Sequence, residues 1–141
     1  MYESIVEPES LRVCSMAEVE PQTVRFLWFP YLPSGKITLL QGDPGGGKTT
    51  FCLSLAAHLS TGGIFPGEEA PSKPQSVLYQ TAEDGIADTI HPRWERMHAD
   101  LRRVHFIDES HSPLSLTDNR LETAMEQIRP GLLIIDPLQA Y

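Results

Sequence analysis

Gly42-Asp43-Pro44-Gly45-Gly46-Gly47-Lys48-Thr49 is the stretch on which the reading of this chain turns. Two fixed glycines, a lysine and a threonine at this spacing match by accident in well under ~1% of chains this long. A polyphosphate carries several charges, and holding it needs many donors converging on a small volume. Gly45, Gly46 and Gly47 let the backbone wrap closely with its N–H groups pointing inward. Lys48 is placed to reach the β- and γ-phosphates, and the Thr49 hydroxyl to ligate Mg²⁺. Gly42, Asp43, Pro44 and Thr50 complete the expected nucleotide-contacting run. A helix opening at Lys48 adds the positive end of its dipole.

The flanks supply the context such a loop requires. Lys36-Ile-Thr-Leu-Leu-Gln41 is a short apolar run that predicts a buried strand entering the loop. From Lys48 to about Ser60 the sequence predicts a helix, with Phe51, Leu55 and Leu59 on one side, Cys52 and Ala56 beside them, and Gly62-Gly63 to stop it. Further on, Ser76–Thr81, Arg103–Asp108 and Leu132–Asp136 predict three more strands. Helical stripes lie between them, at Ile86, Ile90, Trp94, Met97 and Leu101, and again from Asn119 to Gln127. Pro92 must sit in a first turn or kink its helix. Strands that alternate with helices and are apolar throughout predict an α/β fold, a parallel sheet covered by helices on both faces. Residues 1–33 lack a clean period, contain Pro8, Pro21, Pro30 and Pro33, and read as an extended preamble with an aromatic patch; residues 34–141 read as the nucleotide-binding domain.

Two acidic positions extend the candidate site. Asp136 ends a buried strand at the edge where α/β folds bind ligands, and can hold a Mg²⁺-bound water beside Thr49. Glu83 follows the strand Ser76–Thr81 at the same edge and can polarise the water that attacks a γ-phosphate. Its neighbour Asp84 is equally placed by spacing, either as that base or as a helix N-cap.

Composition narrows the alternatives. The 141 residues carry a net charge of -8, which argues against a main nucleic-acid surface on this stretch. No run is long and apolar enough for a membrane span, and Met1–Ser10 lacks signal-peptide order. Two cysteines, Cys14 and Cys52, make no disulfide framework, so a cytoplasmic location is expected. The five histidines form no metal-type pair. Arg93, Arg96, Arg102 and Arg103 read as a solvated helix face, Trp28 as a core or domain-edge aromatic, and Cys52 as packing. Guanine recognition by Asn-Lys-x-Asp is absent, and a small-molecule kinase fits poorly with a water-activating acidic pair.

Gly35–Thr50, with Val77-Leu-Tyr-Gln-Thr-Ala-Glu-Asp84 and Leu132-Leu-Ile-Ile-Asp-Pro-Leu138, resembles the RecA-like AAA ATPases related to the RepA hexameric plasmid helicases. The resemblance covers roughly Phe29 to Tyr141. It implies an ATPase using ATP and Mg²⁺, with Glu83 as the catalytic glutamate, and a homo-oligomeric, hexameric ring serving DNA replication or another DNA transaction. It also implies that the Asp136 strand lies between the Ser76 and Lys36 strands, with the Arg103 strand outside. Further strands, DNA-facing loops and a finger residue would follow, beyond Tyr141. On that expectation the chain is the front part of such a domain, truncated after the Asp136 strand and a weak ATPase by itself. The competing expectation is a nucleotide-gated regulatory or binding module that hydrolyses little.

Overall fold

A computed structural model describes residues 11–141. Its centre is a three-stranded parallel sheet in the order β4-β3-β5, formed by β3 (Val77–Thr81), β4 (Val104–His105) and β5 (Leu132–Asp136). Every residue of β3 is buried, as the middle strand of a covered sheet must be. β3 and β5 run in register from Val77 opposite Leu132 to Thr81 opposite Asp136, so both strands end at one level.

Helix α1 (Lys48–Thr61) packs on this sheet and ends at Gly62, whose N–H returns to the His58 carbonyl. Its buried residues are Leu53, Leu55, Ala56, Ala57, Leu59 and Ser60. The expected stripe is therefore rotated: Leu55 and Leu59 are inside, but Phe51 is 44% exposed and lies beside Trp28. Polar and apolar residues are spread around this helix, so period alone does not select the face that meets the sheet.

Two other elements depart from expectation. The stripe from Ile86 begins as a single π-helical turn (Ile86–Ile90), with the Thr89 and Ile90 N–H groups both on the Gly85 carbonyl. It passes into α2 (His91–Arg96), which carries Pro92 in its first turn, and ends before Leu101. β4 is two residues long where six were expected. Beyond it the Gln80 side chain takes over the role of a strand: its amide nitrogen donates to the Ile107 carbonyl at 3.0 Å, and its oxygen accepts from the Ile107 N–H at 2.9 Å. Helix α3 (Asn119–Ile128) starts at Asp118, whose carboxylate accepts from the Arg120 N–H.

The strand expected at Lys36–Gln41 is a correction. These residues have no regular secondary structure and join no strand, and the outer edge of β5 has no partner among the described residues. Ile37 is 99% exposed and Leu39 is 70% exposed. An apolar run states a preference for burial, but a strand exists only when a neighbour accepts its ladder of hydrogen bonds. Where the resemblance would put the Lys36 strand beside β5, the structure keeps only the other three strands in the implied order.

Before the P-loop, β1 (Phe26–Trp28) and β2 (Leu32–Pro33) form a small antiparallel hairpin. The Trp28 ring stacks on Phe65 at 5.3 Å, and its indole N–H donates to the Pro66 carbonyl. Trp28 is thus a domain-edge aromatic that ties the hairpin to the loop after α1.

These placements make unequal demands on two apolar side chains. Leu53 is fully buried, and Leu53→Ala is expected to cost about 2–5 kcal/mol in urea unfolding. Ile37→Ala should stay within about 0.5 kcal/mol of the parent. Equal losses would put residues 36–41 inside the sheet after all.

Candidate nucleotide site

The loop Gly42–Gly47 leads directly into α1. Gly47 is the residue before the first helical turn, at φ 83°, and Gly45 stands at φ 75°. Both values lie in the left-handed region that side chains disfavour, so the sequence meets a backbone demand at these positions with glycine. No side chain caps α1, which leaves the first N–H groups of the helix free for an anion. The Gly46 N–H closes a tight turn onto the Asp43 carbonyl at 3.1 Å.

Lys48 folds back over this turn. Its ammonium donates to the Gly42 carbonyl at 2.8 Å and to the Asp43 carbonyl at 2.7 Å. The cation therefore sits over the loop that would wrap a phosphate, held by neutral carbonyls that an anionic oxygen can replace. Thr50 accepts a hydrogen bond from the Arg93 guanidinium at 2.6 Å, which fastens α2 to the start of α1. Arg93 was expected on a solvated face; the remaining arginines of that group are largely at the surface, with Arg102 and Arg103 paired to Asp100.

Asp136 is the last residue of β5, and Glu83 lies two residues beyond Thr81 at the end of β3. Since Thr81 and Asp136 are paired in register, both acids stand at the same edge of the sheet. The turn leaving β3 is held loosely, with the Glu83 and Asp84 N–H groups 3.4 and 3.5 Å from the Thr81 hydroxyl. Glu83 is exposed and Asp84 is half-buried, so the structure leaves both in place as candidates for the base.

Asp136 itself is more firmly held. The Tyr79 hydroxyl donates to its Oδ2 at 2.9 Å. Burial, followed by that hydrogen bond, pushes the Tyr79 phenol well above its ordinary range. Cys52 lies close by: burial first, and the Asp136 charge second, push its thiol up to about 11. Cys52 is one helical turn after Thr49 on the same side of α1, and α1 packs against β5. Cys52 was expected only to pack; the Asp136 charge also acts on it, which the sequence does not show.

A thiol pushed up to about 11 forms very little thiolate at pH 8. Cys14 is exposed. Iodoacetamide at pH 8 should therefore alkylate Cys14 first and Cys52 very slowly, as read by peptide mass mapping. Equal labelling of both would contradict the placement of Cys52.

A family model described as AAA domain matches residues 3–141. The chain belongs to this AAA domain family. Its members are P-loop proteins of RecA-like type, and the α/β sheet with its glycine-rich loop agrees with that membership. Among curated proteins, the AAA domain is similar to the DNA repair protein RadA of Bacillus subtilis, 29% identical over 74% of this chain. It is also similar to RadA of Halalkalibacterium halodurans, 30% identical over 74%, and of Mycolicibacterium smegmatis, 29% identical over 77%. The chain spans 19% of the length of each of these relatives. No solved structure matches it.

The donor set suits Mg²⁺. Thr49 offers a hydroxyl and Asp136 a carboxylate whose Oδ1 has no protein partner among the described residues. Mg²⁺ is ordinarily held by one or two such oxygens together with substrate phosphates and waters. No helix among the described residues is long and apolar enough to cross a membrane.

Proposed function

We propose that this AAA domain binds ATP with Mg²⁺ and hydrolyses it, in the service of a DNA transaction. The observation that supports the proposal is a glycine loop folded under Lys48 and followed by an uncapped helix N-terminus, in a chain whose acids Asp136 and Glu83 stand together at the ends of β5 and β3. In this reading Lys48 exchanges the Gly42 and Asp43 carbonyls for phosphate oxygens, which are stronger acceptors. Backbone N–H groups of Gly45, Gly47, Lys48, Thr49 and Thr50 would face the phosphates, while Gly42, Asp43, Pro44 and Gly46 shape the turn. Thr49 and Asp136 would hold the metal, which would supply positive charge against the phosphates. Glu83 accepts a proton from the attacking water.

The net charge of -8 gives the chain no general attraction for a nucleotide, so affinity must arise locally at the loop. A DNA-linked role draws on the printed name of the RadA relatives, DNA repair proteins. A ring-forming helicase of the RepA kind, active in replication in the cytoplasm, is the finer form of the proposal; the three ordered motifs support it. Phosphate release by the purified protein, with and without single-stranded DNA, tests the proposal. Turnover that needs Mg²⁺ and rises with DNA is the expected result. Tight nucleotide binding with no turnover under either condition would favour a nucleotide-gated binding module instead.

A further inference from the structure

Tyr79 occupies a position where a hydroxyl is not needed for packing. It is fully buried in the middle strand, and its ring meets the Trp94 ring edge to face at 5.2 Å. Trp94 is fixed in turn by its indole N–H, which donates to the Leu53 carbonyl in α1 at 3.2 Å. A phenylalanine ring would fill the same volume and keep the same aromatic contact. The phenol oxygen is the only part of the side chain that the core does not require.

The sheet register explains where that oxygen goes. Tyr79 pairs with Ile134, so the two side chains share a face. Asp136 is two residues further along β5 and projects from that same face. Two residues span about 6.6 Å along a strand, which is within reach of a tyrosine leaning along the strand direction. The hydroxyl thus ends at Asp136 Oδ2, 2.9 Å away. A donor on one carboxylate oxygen restricts rotation of the group and leaves the other oxygen to act. The ring is fixed against Trp94 within the buried core, so it cannot readily follow the carboxylate if it turns.

We propose that Tyr79 is a positioning residue for Asp136: its hydroxyl holds the carboxylate in one orientation before Mg²⁺ and nucleotide arrive. This rests on the reading above that Asp136 serves the metal. Tyr79 touches neither nucleotide nor metal and acts only through Asp136. The expected consequence is a loss confined to the metal-dependent part of binding.

The test is calorimetric titration of ADP, with and without Mg²⁺, into the parent chain, Tyr79→Phe, Asp136→Asn and the double variant. In Tyr79→Phe the gain in ADP affinity on adding Mg²⁺ should shrink about tenfold, the scale of one hydrogen bond to a charged group. Affinity for ADP without Mg²⁺ should stay within about twofold of the parent, since the phosphate contacts are untouched. The double variant should be no worse than Asp136→Asn, because Tyr79 has nothing to orient once the carboxylate is gone. The proposal is overturned if Tyr79→Phe keeps the full Mg²⁺ gain while Asp136→Asn loses it, or if the two losses simply add. It is overturned equally if Tyr79→Phe unfolds or loses Mg²⁺-free affinity, since the hydroxyl would then serve packing. An Asp136→Asn chain with its Mg²⁺ gain intact would instead remove the metal assignment of Asp136, and the role of Tyr79 with it.

Discussion

Glu83→Gln is expected to leave ATP affinity within about twofold of the parent while cutting hydrolysis by about 10²–10⁴. The asymmetry follows from where the side chain stands. Glu83 is exposed in the turn after β3, while the groups proposed to wrap the phosphates are in the loop before α1. Glutamine keeps the length and polarity of the side chain but cannot take a proton, so only the chemical step suffers. Asp84→Asn should be milder, reducing turnover less than Glu83→Gln does. Both acids leave β3 together, and their N–H groups reach the same Thr81 hydroxyl, so kinetics must separate them. Single-turnover phosphate release on both variants makes the distinction. Loss of turnover in Asp84→Asn with survival in Glu83→Gln would mean that the other carboxylate is the base.

The second large effect concerns Lys48. Its ammonium makes two hydrogen bonds to loop carbonyls and would exchange them for phosphate oxygens. Lys48→Ala removes the cation held over the glycine turn. ATP affinity should fall about 10- to 100-fold, as expected for one or two hydrogen bonds to a charged partner. Folding stability should change by less than about 1 kcal/mol, because those bonds are made near the surface to groups that water can satisfy. Equal ATP affinity for parent and variant by calorimetry would remove Lys48 from the site.

Different parts of this molecule were legible in the sequence for different reasons. The P-loop was readable because its demands are local: positive φ at Gly45 and Gly47 and a helix start at Lys48 are all set within eight residues. Leu132–Asp136 and Val77–Thr81 were readable because each is a short, mostly apolar run that ends at a turn, although β3 is buried throughout while in β5 only Ile134 is. Lys36–Gln41 has the same composition, yet it joins no ladder, since composition does not name a partner strand. The short β4 could not be foreseen either. Whether Ile107 is paired by backbone or by the Gln80 side chain depends on a contact 27 residues away in the chain. The link from Tyr79 to Asp136 spans 57 residues and was equally hidden, although each end lay in a strand that the sequence identified. The hairpin at Phe26–Pro33 shows its aromatic content in the sequence but not its pairing, which two strands of three and two residues cannot signal by alternation.

The central claim is that the loop before α1 receives the phosphates of a nucleotide. It is tested most directly by following backbone amide resonances while Mg²⁺ and ADP are titrated into the chain. The largest shifts are expected on the N–H groups of Gly45, Gly46, Gly47, Lys48 and Thr49, with smaller ones at Asp136, all reporting one saturating event. Saturable binding that moves resonances elsewhere and leaves Gly45–Thr49 unchanged would contradict it.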